Sequence, residues 1–177
     1  ELLDLAGVSL EDLGNERLAY TQSQGNPALR GAISKLYERT AAAQVVVLGT
    51  PVEGIYLAAQ ALLEPGDEVV VLCPAYDALI NLFEHLVGKH SVRRWNFQAS
   101  ADGWMLDLDE LEPLLSPRTK LVVVNFPHNP TGHLPGRDFQ QALVEKLEQR
   151  GIWLFCDEMY FGLVNPGATP LPSAADT

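Results

Sequence analysis

Val122 to Gly132 reads Val-Val-Val-Asn-Phe-Pro-His-Asn-Pro-Thr-Gly, and Trp153 to Tyr160 reads Trp-Leu-Phe-Cys-Asp-Glu-Met-Tyr. Each opens as an apolar, β-rich run and stops abruptly at polar side chains, as strands do at the ligand-binding edge of an open α/β sheet. The segment between them, from Gly136-Arg137-Asp138-Phe139 to Glu148-Gln149-Arg150-Gly151, has the length and polarity of a crossover helix. The two strands are therefore expected to be parallel neighbours. In that arrangement Asn129, Asp157 and Tyr160 line one crevice.

Working outward, the same alternation recurs. Glu68 to Cys73 reads as a buried strand that ends at Pro74-Ala75-Tyr76. A helix over Asp77 to Val87, a strand over Ser91 to Trp95, an excursion through Trp104-Met105-Leu106 and a helix over Leu108 to Leu115 lead to a strand over Lys120 to Val124. Upstream, Gln44 to Leu48 reads as a strand. It is followed by a helix start with Thr50 as N-cap, Pro51 at the first position and Glu53 closing a capping box. Such a terminus offers free N–H groups and the positive end of the helix dipole to an anion such as a phosphate. Pro27 opens an earlier helix with Leu29, Ile33, Leu36 and Tyr37 as its apolar stripe, and Leu2, Leu3, Leu5, Val8, Leu10 and Leu13 suit short helical turns before it. The pattern predicts an α/β fold in three layers, α/β/α, around a mostly parallel sheet. The expected divisions are a helical lead-in over 1–19, a ligand-binding portion over 20–164 and a tail over 165–177.

With 177 residues, 47% hydrophobic and 20% charged, the chain buries one good core. Its net charge of −11 works against nucleic acid or an anionic membrane surface as partner, both of which need a basic face. No apolar run approaches the length of a membrane span and no signal peptide is visible, so a cytoplasmic location is expected. Cys73 and Cys156 read as reduced core thiols. His85, His90 and His133 show no metal spacing and His128 reads as packing or surface, so no metal is expected.

Taken singly, these residues have plain structural readings: Asn129 before Pro130 as a turn, Asp157 as a cap on the turn after it, Tyr160 as an exposed-edge aromatic and Tyr76 as core or rim packing. Together and in this order, Asn-Pro-Thr-Gly at 129–132, Asp-Glu-Met-Tyr at 157–160, Pro-Gly-Asp-Glu-Val-Val-Val with Pro74 and Tyr76, the helix capped by Thr50, and Tyr20 with Gly25, Leu29 and Arg30 resemble the class I/II aminotransferases. These form the large fold-type I group of pyridoxal-phosphate enzymes, and the resemblance runs from Tyr20 to Gly162. It implies the large domain of that fold and pyridoxal 5'-phosphate as cofactor. Thr50, Pro51 and Val52 would face the phosphate and Tyr76 would stack on the pyridine ring. Asp157 would keep the ring nitrogen protonated, while Tyr160 and Asn129 donate to the cofactor's phenolic oxygen. Where the family commonly has Ser, Thr or Gln, this chain has Val52, which retains backbone donors only. Tyr20 would reach the phosphate of the neighbouring subunit in a homodimer.

The implied activity is amino-group transfer from an amino acid to a 2-oxo acid. In the family a Lys forms the Schiff base with the cofactor, on a strand well after the Asp-x-x-Tyr segment. Lys35, Lys89, Lys120 and Lys146 all precede Asp157 and none fits that motif. The start at Glu1 and the Pro/Gly/Ala-rich tail over 165–177 read as a fragment lacking that Lys and the small domain. The 177 residues alone are therefore expected to bind cofactor weakly at most and not to transaminate. Two other readings stay open: a lyase or cyclase of the same fold, and the aminotransferase-like sensor half of a transcriptional regulator.

Overall fold

In a computed structural model of the chain, residues 9–15, 19–20, 22–101, 103–163, 165–167 and 169–177 are described. Four parallel strands form the central sheet: β1 (Glu68–Cys73), β2 (Val92–Asn96), β5 (Thr119–Asn125) and β6 (Trp153–Asp157), in the order β2-β1-β5-β6. A short antiparallel hairpin, β3 (Gln98–Ser100) and β4 (Gly103–Met105), stands apart from it. The helices are α1 (Leu10–Gly14), α2 (Pro27–Ser34), α3 (Pro51–Leu62), α4 (Ala78–Val87) and α5 (Arg137–Glu148).

The valine runs are continuous because both faces of the sheet are covered along them, so successive positions there are apolar. Val69, Val71, Leu121 and Val123 point to one side and pack with Ile55 and Ala59 of α3 and Leu79 and Phe83 of α4. Val70, Leu72, Val122 and Val124 point to the other and meet Leu143 and Leu147 of α5, together with Trp95 and Leu111. This is the expected α/β/α layering. The crossover through α5 joins β5 to β6 in parallel, with Asn125 opposite Asp157 at the end of the ladder.

A buried charge opens the sheet at its amino-terminal edge. Glu68 opens β1 almost fully buried, with Arg93 at 2.9 Å, a further ion pair to Arg118, and the Ser116 hydroxyl donating to it at 2.8 Å. Burial alone would raise its carboxyl, but the Ser116 and Arg118 hydrogen bonds and the Arg93 and Arg118 charges outweigh that and lower it. Both cysteines are free, Cys73 buried and Cys156 half-buried, and burial raises both thiols.

Several expected elements differ. Gln44 to Leu48 is not a strand: Ala42–Gln44 is a 3₁₀ turn, and of the residues after it Val47 donates to the Gln24 carbonyl at 2.9 Å with no described strand alongside. Extended backbone without a ladder partner gains no sheet. Leu108 to Leu115 is not an α-helix either. Asp107 Oδ1 accepts from the Asp109 N–H at 2.8 Å, Pro113 lacks a donor, and only a 3₁₀ turn over Glu112–Leu114 forms. Helix α2 ends at Ser34, short of Leu36, and its buried residue is Arg30, held by two hydrogen bonds to the Ala42 carbonyl; Leu29 and Leu36 are exposed. Of the turns expected at the start, α1 is described, whereas Leu2, Leu3, Leu5 and Val8 lie outside the described residues. The Gly25 of the Tyr20 motif is required where it stands. Its φ is +100°, and a Cβ there would lie 2.6 Å from Val47 Cβ.

Candidate active site

A cavity of about 240 Å³ opens where β1, β5 and β6 end, on the carboxyl edge of the sheet. Helix α3 contributes Pro51, Val52 and Ile55, the exit of β1 contributes Tyr76, β5 and its loop contribute Asn125 and Asn129, and the exit of β6 contributes Asp157, Met159 and Tyr160. Six residues expected on sequence grounds, Pro51, Val52, Tyr76, Asn129, Asp157 and Tyr160, therefore converge. Thr50 and Tyr20 are not among the lining residues, and Tyr20 is fully exposed.

Thr50 acts through the helix it caps. Its Oγ1 accepts from the Glu53 N–H at 3.3 Å, and Glu53 Oε2 accepts from the Gly49 N–H at 2.9 Å. The reciprocal bond expected at Thr50 thus closes one residue earlier. Pro51 has no N–H, and the Thr50 and Val52 N–H groups donate to no partner among the described residues. Two free donors at the positive end of a twelve-residue helix, beside the cavity, suit an anionic group.

Across the cavity, Asp157 is half-buried. Its Oδ1 accepts from the Met159 N–H at 3.0 Å, so the plain capping reading holds for that oxygen. Oδ2 has no hydrogen-bond partner among the described residues and remains an acceptor for a ligand. Tyr76 is 50% exposed and Tyr160 36% exposed, so both stand at the rim of the cavity. The Asn129 backbone N–H donates to Asn125 Oδ1 at 2.8 Å. Its side-chain amide has no described partner.

Sequence reasoning missed Asn125, Ile55 and Met159. The signal for Asn125 lay in plain view, an amide closing a run of three valines, but its partners are fixed only by the fold. His128 is buried, its ring 4.4 Å from that of Phe97 and its Nδ1 2.8 Å from Thr131 Oγ1; it packs beside the Asn129 loop and does not line the cavity. Burial lowers its pKa to about 4, against a smaller opposing effect of the Pro74 carbonyl, so the ring is neutral near pH 7. Its Nε2 has no hydrogen-bond partner among the described residues. His133, 5.1 Å from Phe97, is lowered in the same direction by burial. Among the described residues no group of three metal-ligating side chains occurs.

A carboxylate, two aromatic rings, an amide and a helix amino-terminus thus meet around one cavity at the carboxyl edge of a parallel sheet, the edge at which open α/β sheets hold ligands. The chain belongs to the aminotransferase class I and II family, whose model matches residues 6–176. It is 33% identical over 169 residues to the arginine–pyruvate transaminase AruH of Pseudomonas aeruginosa, covering 89% of this chain and 42% of that protein. An aspartate aminotransferase of Thermotoga maritima is 34% identical over 160 residues, 82% of this chain and 39% of that protein. A crystal structure of a PLP-dependent aminotransferase from Streptococcus suis superposes with a TM-score of 0.86 at 29% identity, over 99% of this chain and 46% of that one. The chain thus spans less than half the length of the relatives it matches.

Proposed function

We propose that this chain is the cofactor-holding half of a pyridoxal 5'-phosphate-dependent aminotransferase that moves the amino group of an amino acid to a 2-oxo acid. The observation that carries the reading is the convergence of Tyr76, Asn129, Asp157 and Tyr160 with the start of α3 on one cavity. The residues fit the group: free N–H donors stand at one end for a phosphate, an unpaired carboxylate oxygen for a ring nitrogen, and an aromatic ring at the rim for stacking. The volume, below the roughly 300–1,000 Å³ of drug-sized pockets, suits a small ring-bearing ligand.

When bound, the cofactor supplies an electron sink for the pair left at an amino acid's α-carbon on deprotonation. Asp157 Oδ2 accepts the ring N–H in a charge-assisted hydrogen bond and keeps that nitrogen protonated, so the sink stays strong. Tyr160 and Asn129 would donate to the phenolic oxygen. Tyr76 covers the ring face and keeps water from it. The N–H groups of Thr50 and Val52 anchor the phosphate without a side-chain contact from Val52.

The portion over 20–164 is read as the cofactor-binding unit and 1–19 as its lead-in, and no Lys after Asp157 occurs within these 177 residues. Supporting a homodimer, α3 exposes Val52, Tyr56 and Leu57, and Tyr20 stands free to reach a neighbour's phosphate site. A cytoplasmic location suits this chemistry; no described helix is long and apolar enough to cross a membrane. The test is to express the open reading frame containing this chain and assay a panel of amino acids against 2-oxo acids, with and without pyridoxal phosphate. Cofactor-dependent amino-group transfer is expected. Cofactor binding with elimination products instead would move the reading to a lyase, and no cofactor binding would end it.

A further inference from the structure

Asn125 is the last residue of β5, 5% exposed, and the fold spends both ends of its side-chain amide on the two site residues that come from different segments. Its Nδ2 donates to the Asp157 carbonyl at 2.7 Å, and its Oδ1 accepts from the Asn129 backbone N–H at 2.8 Å. The Phe126 N–H also donates to the Asp157 carbonyl, at 3.1 Å, so the β5–β6 ladder is already closed there without the side chain. Strand stability alone does not ask for Asn at this position. It is a poor strand former, and a buried amide is tolerated only where its hydrogen bonds are made. The Asp157 carbonyl is thus fixed by two donors while its Oδ1 is tied to the Met159 N–H, which leaves Oδ2 one direction to face.

We propose that Asn125 is a positioning residue: its amide is a strut of fixed length that sets where the Asp157 carboxylate and the Asn129 side chain stand relative to each other, and so where the cofactor's ring nitrogen and phenolic oxygen must lie. This rests on the cofactor reading above and adds a residue to it. The strut acts through Asp157 and Asn129, and its loss leaves both side chains present but free to separate.

The test titrates the cofactor-free, ¹⁵N-labelled protein that contains this chain with pyridoxamine 5'-phosphate and with its deaza analogue, in which carbon replaces the ring nitrogen, following amide shifts and the hydrogen exchange of the Asn129 amide. Wild type is expected to prefer the nitrogen-bearing ligand. In Asn125→Ala that preference falls about tenfold, the size of one charge-assisted hydrogen bond, and the Asn129 amide exchanges faster. Asn125→Asp keeps the acceptor for Asn129, whose amide stays protected, but turns a carboxylate on the Asp157 carbonyl and still weakens the preference. A folded Asn125→Ala that retains the preference within about twofold overturns the inference. If that variant does not fold, retention in Asn125→Asp overturns it equally. Wild type that binds both ligands alike removes the role of Asp157 and this inference while leaving a phosphate site; wild type that binds neither ends the proposed function and the inference with it.

Discussion

Tyr76 and Asp157 line the same cavity from strands that flank β5, the tyrosine just beyond the exit of β1 and the aspartate at the last position of β6. One offers an aromatic face and the other a carboxylate oxygen, so their variants separate holding from chemistry. In the protein that contains this chain, Asp157→Ala is expected to lower turnover by about 10²-fold or more, because it removes a charge-stabilising partner of the reacting system. Cofactor occupancy should change far less. Steady-state rates beside the cofactor absorbance of the purified variant decide the point, and undiminished turnover sinks the assigned role.

Tyr76→Ala is expected to do the reverse. Aromatic contact contributes about 0.5–1.5 kcal/mol beyond area burial, so cofactor dissociation should weaken about two- to tenfold with a smaller effect on turnover at saturation. An unchanged dissociation constant would make Tyr76 a rim residue only.

Thr50 is legible as a helix cap, and the cap accounts for its contacts: its hydroxyl is spent on the Glu53 N–H and the residue does not line the cavity. Thr50→Ala is expected to cost about 1 kcal/mol of stability. Thr50→Ser should restore it, and chemical denaturation of the three proteins checks both. Because the phosphate donors assigned to this terminus are backbone N–H groups, a phosphate-bearing ligand should still bind Thr50→Ala under conditions where it is folded.

These sites differ in how far the sequence announces them. Val69 to Val71 and Val122 to Val124 are readable as strands because the sheet is covered on both faces along them, and Asn-Pro-Thr-Gly and Asp-Glu-Met-Tyr are readable because they break such runs. Val45 to Leu48 carries the same local signal but has no ladder beside it, and a strand is defined by its partner rather than by its own propensity. Asn125 was hidden for a related reason: the bond to Asp157 spans 32 residues, and nothing local distinguishes an amide that braces two segments from one that ends a strand. Arg30 shows the converse. An apolar stripe at helical spacing pointed to Leu29 and Leu36, yet the buried residue of α2 is the arginine, because the Ala42 carbonyl takes its guanidinium.

At the opposite edge of the sheet, Glu68 is buried while its partners Arg93 and Arg118 are 35% and 70% exposed at their side chains. Removing the carboxylate leaves two arginines that turn to water, a milder loss than stranding a buried charge. Glu68→Gln is therefore expected to destabilise by about 1–2 kcal/mol, read from the denaturation midpoint at unchanged slope. Because the folded carboxyl is lowered from 4.5, its contribution is present above that pH and is lost as pH falls below it. Wild type and variant should converge in acid.

His128 sets a second, higher window. Its ring takes a proton near pH 4 when folded and near 6.5 when unfolded, so between those values the unfolded chain binds more protons. Stability is then expected to fall as pH drops from about 6.5 to about 4, by up to about 3 kcal/mol for this one group. His133, lowered in the same direction, adds to the slope. His128→Phe removes the titration but also the contact with Thr131 Oγ1, so it should be less stable near pH 7 by about 1 kcal/mol and flatter below it. The two stability curves should cross on acidification. Urea unfolding of both proteins at half-unit steps from pH 7.5 to 4.5 measures this, and parallel curves would show that the imidazole is not held neutral against Phe97.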